Sequence, residues 1–220
     1  MKRPLPDILQ DVFVCSAEVA AGIGRFAAER RFPVRTVIVK QGDHAGATYL
    51  MIAGRAHALT YGFEGQLVLL HEFLTGDFFG AVAQTGSEPE DADVVAVEIT
   101  HAAIFQAPDF LALIETYGCV GLAVSRALLR QLRAAASKVV QRTTLSAAGR
   151  VHAELLRLAN QGDGRTLRPA PVLSKLALRV QSTRETVSRT ISALERRGII
   201  RREGNALVIV APHRLEELVV

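Results

Sequence analysis

The sequence predicts an α+β chain: a helical prelude, an antiparallel β barrel or sandwich, a long helix, and a C-terminal helix-turn-helix closed by a hairpin. Three observations carry that reading. Short β-branched runs broken by glycines fill residues 33–105, with no room for helices between them. A stretch with helical spacing then extends from Pro108 to about Gln141. Finally, Lys175 to Val180 and Thr183 to Glu195 read as two short helices, followed by β-branched runs flanking Glu203-Gly204-Asn205.

In chain order, residues 1–32 read as helix, with Ile8, Leu9, Val12 and Phe13 on one apolar face and a second, Ala-rich helix from Val19 to Arg31. The strand candidates are Val34–Lys40, Tyr49–Ala53, Arg55–Thr60, Leu67–Phe73 and Asp93–Ile99. In the long helix, Val124, Leu128, Leu132, Ala135 and Val139 step by four, four, three and four, a coiled-coil-like seam for a parallel homodimer. The same spacing also suits packing on the chain's own β domain. Thr143 to Ser146 is a hinge candidate, with Ser146 capping a helix from Ala147 to Asn160, and residues 161–171 read as a loop. The expected division is 1–107, 108–142 and 143–220.

Charge is uneven along the chain. Residues 1–142 carry 13 Lys and Arg against 15 Asp and Glu, whereas residues 143–220 carry 13 against 7. A basic C-terminal third is what a polyanion partner requires. No apolar run reaches the ~18 residues of a bilayer span, and the start Met1-Lys-Arg-Pro lacks an apolar signal core, so a cytoplasmic protein is expected. Cys15 and Cys119 are far apart and form no CxxC, which argues against a disulfide framework or a zinc ribbon, and two thiols cannot hold a four-thiolate iron-sulfur cluster. No metal site, nucleophile elbow, P-loop, HExxH or convergent carboxylate pair is found, so an enzyme is not expected.

The C-terminal helix pair suits double-stranded DNA. Val187, Ile191 and Leu194 form an apolar stripe, leaving Arg184, Glu185, Ser188 and Arg189 on a neighbouring side. A guanidinium reads guanine O6 and N7 with two hydrogen bonds, and a carboxylate accepts from cytosine N4. Thr183 and Thr186 stand at the helix N-terminus, where hydroxyls, amides and the helix dipole suit a phosphate, and Arg201 and Arg202 lie on the wing. A solvated, salt-bridged helix face would show the same residues.

The run STRETVSRTISALERRGIIRREGNALVI resembles the DNA-binding end of the catabolite activator protein/FNR family. The resemblance implies base contacts at Arg184, Glu185 and Arg189, phosphate contacts at Thr183 and Thr186, and a TGTGA-type palindrome read by a homodimer. It also implies that residues 161–171 are a candidate surface for RNA polymerase. Gln181 stands where many members have a turn glycine, so a positive φ there would cost about 1 kcal/mol.

Residues 41–80, with Gly42, Gly54 and the turn Gly76 to Gly80, resemble the β-roll of cyclic-nucleotide-binding proteins. That resemblance implies a Glu after Phe-Gly for the ribose and an Arg in an R-S/T-A tripeptide for the cyclic phosphate. Here the positions read Phe79-Gly80-Ala81 and Glu90-Asp91-Ala92, and the helix positions that would meet adenine are Ala135 and Ala136. Glu88, Glu90, Asp91 and Asp93 would repel a phosphate by several kcal/mol in a low dielectric. The expectation is a regulator without cAMP as its activator: active without ligand, or controlled by another small-molecule effector. Haem, for which His44, His57, His71 and His101 are available, is disfavoured because a lone histidine is far more often a surface or satisfied core residue. A ligand-binding module acting through a protein partner is the rival reading, as is a redox sensor of the same family.

Overall fold

The computed structural model describes residues 3–44, 46–62, 65–82 and 89–219. Contacts divide the chain into two compact units, Met1–Ala135 and Ala136–Val220.

The first unit opens with α1 (Leu5–Phe13), entered through Pro4, and α2 (Ala17–Gly24), whose N-cap Ser16 accepts a hydrogen bond from the Val19 amide. The second prelude helix stops earlier than its composition predicts. Ala28–Phe32 is instead strand β1, held by antiparallel pairing to residues 100–104, and this long-range ladder outweighs the helical propensity of Ala27-Ala28-Glu29. The remaining strands are β2 (Val37–Val39), β3 (Ala47–Ala53), β4 (Ala56–Tyr61), β5 (Leu67–Phe73), β6 (Phe78–Gly80), β7 (Asp93–Ala96) and β8 (Thr100–Gln106). They form two antiparallel sheets, ordered β1-β8-β3-β6 and β2-β7-β4-β5. Neither β6, inside the glycine-framed turn, nor β8, which carries two alanines and a histidine, stands out by β-branching.

Strand β3 links the two halves of this core. Leu50 and Ile52 enter the cluster formed with the helices, beside Phe13, Phe105 and Phe110, whereas Tyr49 and Met51 enter the inter-sheet cluster with Phe73, Phe79 and Val94. Side chains alternate across a strand, so consecutive residues serve opposite cores. Gly54, at the end of this strand, has φ 88°, and a Cβ there would press on the Ile99 carbonyl and lie 2.8 Å from the Thr100 Cα.

The predicted single helix after Pro108 is two helices, α3 (Ala107–Thr116) and α4 (Gly118–Thr144), bent by 111° at Tyr117. Among the described residues no single helix is long and apolar enough to cross a membrane. Val120, Ala123, Val124 and Ala127 of α4 are buried in the helix-facing core. Val124, at 5% exposure, therefore belongs to the chain's own core rather than to an outward seam. Leu122, Leu128, Leu129, Leu132 and Val139 remain exposed, as do Ala135 and Ala136.

The second unit is built on α5 (Ala147–Ala159), capped by Ser146, whose hydroxyl accepts from the Gly149 amide at 3.0 Å. The loop predicted over residues 161–171 contains the short strand β9 (Thr166–Leu167), which joins the wing sheet. Asp163 accepts the Arg165 and Thr166 amides in this segment, and these bonds hold its carboxyl at about 2. That anchoring is in force above the ordinary carboxylate range and is lost as pH falls through about 2. Helices α6 (Leu173–Val180) and α7 (Arg184–Arg196), strands β10 (Ile200–Glu203) and β11 (Ala206–Ile209), and α8 (Pro212–Glu216) complete it. The sheet order is β10-β11-β9, and the core is shared by Val151, Leu155, Leu176, Val187, Ile191, Leu194 and Leu207.

Replacing Gly54 by Ala is expected to destabilise the first unit by about 1–3 kcal/mol, from the left-handed φ and the carbonyl clash together. Denaturant unfolding followed by tryptophan-free circular dichroism reads this directly, and an unchanged midpoint would refute it.

Candidate nucleic-acid interface and the β-roll interior

In the second unit, α7 is positioned by its buried stripe. Val187, Ile191 and Leu194 are at most 2% exposed, so the helix can present only its other side. Its first turn is fixed by Thr183, the N-cap, whose hydroxyl oxygen accepts from the Thr186 amide at 3.1 Å and lies 3.0 Å from the Thr186 hydroxyl. The turn before it runs through Gln181 at φ 49°, the left-handed residue that ends α6. Val172 is the N-cap of α6 and makes no side-chain cap.

Arg184, Glu185, Ser188 and Arg189 converge on one face, lining an open depression of about 480 Å³ with Leu173. Arg184, Glu185 and Arg189 are exposed, and among the described residues no hydrogen bond or ion pair engages either guanidinium or the carboxylate. This separates them from a salt-bridged helix face, in which Glu185 would hold one of its neighbours. By contrast, Arg150, Arg157 and Arg179 of this unit are engaged. Arg157 and Arg179 both reach Glu154, and Arg150 donates to the Val180 carbonyl at 3.0 Å and to that of Leu145 at 3.1 Å. Arg150 ties the C-terminus of α6 to the start of α5, a positioning role that no spacing in the sequence signals.

The wing arginines divide. Arg201 and Arg202 are adjacent on β10 and face Val208 and Leu207 respectively, so their side chains point to opposite faces of the hairpin. Arg201 pairs with Glu203, and Arg202 with Glu195 of α7 at 2.7 Å. A phosphate contact by either would replace a carboxylate partner already in place.

In the first unit, the interior of the roll is filled by rings. Tyr49 stacks on Phe79 at 4.9 Å between centroids and 2° between planes, and Phe73 lies 4.9 Å from Phe79, tilted by 35°. Gly80, at φ 80°, brings the chain against the Ala47 carbonyl, 2.5 Å from where a Cβ would stand, and Ala81 is buried with its amide bonded to that same oxygen. Burial first, and then Asp91 alongside, raise the Glu90 carboxyl above its usual range. Glu90 is held by backbone bonds with Gly42 and Asp43, Asp93 accepts the Gln41 amide, and Glu88 lies outside the described residues. On the flank of the roll, Arg130 of α4 donates to Asp77 at 3.1 Å and to the Gly76 carbonyl, and Gln131 donates to the Phe78 carbonyl. These bonds tie the Gly76–Gly80 turn to α4 beside a groove of about 510 Å³ that Arg126, Thr75 and Val12 also line.

The histidines do not gather. His57 pairs across the ribbon with Glu72 and His71 with Ala58, so the two side chains leave opposite faces of β4–β5. Among the described residues no group of three or more His, Cys, Asp or Glu side chains could hold a metal ion.

An antiparallel roll joined to a winged helix with an unpaired arginine-rich reading face defines a DNA-binding transcription regulator. Two family models match accordingly: the cyclic nucleotide-binding domain over residues 29–117 and the Crp-like helix-turn-helix domain over residues 149–218. The chain belongs to the CRP/FNR family of transcription regulators and is not an enzyme. It is 30% identical to the cyclic AMP receptor protein of Thermus thermophilus, over 86% of this chain and 87% of that protein. It is 27% identical to the cAMP-activated global transcriptional regulator of Salmonella typhimurium, over 81% and 88%. In fold it is similar to a CooA mutant from Carboxydothermus hydrogenoformans, with a TM-score of 0.79 at 18% identity over 96% of this chain and 95% of that one.

Replacing Gln181 by Gly is expected to raise the stability of the second unit by about 1 kcal/mol, because the left-handed φ then carries no Cβ penalty. Thermal unfolding of the paired proteins tests it; a lower midpoint for Gln181→Gly would show that the amide contributes more than the strain costs.

Proposed function

We propose that this protein is a homodimeric transcription regulator that reads a TGTGA-type palindrome through Arg184, Glu185, Ser188 and Arg189, and does so without cAMP. The observation that carries the reading is the exposed Arg184–Glu185–Arg189 face, whose charged groups have no partner among the described residues. Donors and acceptors left open in this way are available to guanine and cytosine edges in the major groove. Thr183 and Thr186 hold the adjoining phosphate at the helix N-terminus. Arg201 is the wing residue better suited to a phosphate, since Arg202 is drawn toward α7 by Glu195.

Independence from cAMP is supported by the roll. Ala81 offers a methyl where the family motif has a ribose-binding Glu, and Glu90 offers negative charge where it has a phosphate-binding Arg. The Tyr49–Phe79–Phe73 stack fills the interior, and the half-buried Glu90 disfavours an anion beside it. Ala135 and Ala136 add no hydroxyl for a base. A second reading, control by an effector other than cAMP, is favoured by the groove beside Arg126 and Arg130, which borders both the Gly76–Gly80 turn and α4.

Dimerisation is supported by the exposed face of α4. Leu122, Leu129, Leu132, Ala136 and Val139 step by seven, three, four and three, the a/d spacing of a two-stranded coiled coil. This seam keeps Leu132 and Val139 of the sequence reading, moves Leu128 and Ala135 to its flank, and omits the buried Val124. Two recognition helices then meet half-sites one helical turn apart. Residues 161–171 remain a surface for RNA polymerase in this reading, and the site of action is the cytoplasm.

Fluorescence anisotropy at fixed salt, on a TGTGA palindrome and a scrambled duplex, with and without cAMP, tests the proposal. Tight selective binding unchanged by cAMP is expected; micromolar cAMP dependence would overturn the ligand reading. Arg189→Ala is expected to cost about 1–3 kcal/mol at one base pair per half-site, while Arg201→Ala weakens all duplexes alike and flattens the salt dependence. Leu132→Asp is expected to convert the dimer to monomer in light scattering. A dimer that survives Leu132→Asp would place the interface elsewhere.

A further inference from the structure

Two cysteines that stand 104 positions apart in the chain are neighbours in the fold. Cys15 lies in the connection between α1 and α2, where its amide is bonded to the Gln10 carbonyl, and Cys119 lies in the first turn of α4. Both side chains are partly buried against the same core cluster, built from Phe13, Ile23, Phe110 and Val120. The segment that carries Cys119 sits on α2: the Tyr117 hydroxyl approaches to 3.3 Å of where a Cβ on Gly22 would stand. Burial first, and then the nearby Cys119 thiol, raise the Cys15 thiol above its usual value. Neither thiol is fully enclosed, so a small oxidant reaches the pair from solvent.

We infer that Cys15 and Cys119 are a modification site: a reversible intrachain disulfide, formed on exposure to a peroxide, that clamps the α1–α2 connection to the start of α4. One thiolate attacks a peroxide oxygen, the O–O bond breaks, and sulfenic acid forms with the departing hydroxide leaving as water. The second thiolate attacks the sulfenic sulfur, forming the S–S bond and expelling the second oxygen as water. Two thiols and one hydrogen peroxide thus give one disulfide and two waters, the sulfurs losing two electrons and the peroxide gaining them. A dithiol reductant reverses the change. In a reducing compartment such a bond is transient, which makes the pair responsive to oxidant rather than a permanent staple.

The test is peptide mapping of the reduced full-length protein after stoichiometric hydrogen peroxide, alkylation and digestion without reductant. The expected product is a linked peptide pair containing Cys15 and Cys119, lighter than the sum of its parts by two hydrogens, and lost on treatment with dithiothreitol. The oxidised chain should also melt at a higher temperature than the reduced one, because the crosslink restricts its unfolded state. Cys119→Ser should leave a sulfenic acid at Cys15 that dimedone traps, and no intrachain link. Recovery of both cysteines alkylated after peroxide, or links only between chains, would overturn the inference. If Cys119→Ser does not fold, the map of the unmutated chain decides alone.

Discussion

The first unit depends on a strand with almost no solvent face. Along β3, Leu50 and Ile52 serve the helical core while Tyr49 and Met51 serve the space between the sheets. A shift of one residue would exchange these sets and expose both, so the register of β3 against β8 and β6 is held by hydrophobic burial on two sides at once. The glycines at either end serve this constraint. Gly54 and Gly80 allow backbones to approach where any side chain would collide with a carbonyl.

That constraint also bears on what the roll can hold. Tyr49 comes from β3 and Phe79 from its neighbour β6, and their stacking is a product of the paired register Tyr49↔Phe79. The ring pair that stabilises the inter-sheet core occupies space that a ligand would otherwise take. The roll has a mechanical role: it anchors α4 through Arg130 and Gln131 and through the burial of Val120, Ala123 and Val124.

The second unit works by the opposite logic, leaving charge unsatisfied on purpose of geometry. Seven acidic residues in residues 143–220 could quench its 13 basic ones only in part, and three of them, Glu154, Glu195 and Glu203, are spent on Arg157, Arg179, Arg202 and Arg201. Arg184, Glu185 and Arg189 point away from those partners because the buried stripe of α7 fixes its rotation about its own axis. Selection of which side chains meet a ligand is thus made by apolar residues that never touch it.

Local pattern by itself determined the winged helix-turn-helix and the Ser146 cap, because each rests on spacing within one element, and side-chain chemistry alone suggested the proposed base-reading face and the expected independence from cAMP. Three outcomes were decided only by tertiary structure. Ala28–Phe32 became a strand because its partner lies some seventy residues away in β8, a pairing invisible to local propensity. The outward seam of α4 shifted off Val124 because a helix with apolar residues on two sides does not announce which side meets its own domain and which is left over. Cys15 and Cys119 became neighbours because α2 and α4 pack on one core, and sequence distance says nothing about proximity once a chain folds back on itself.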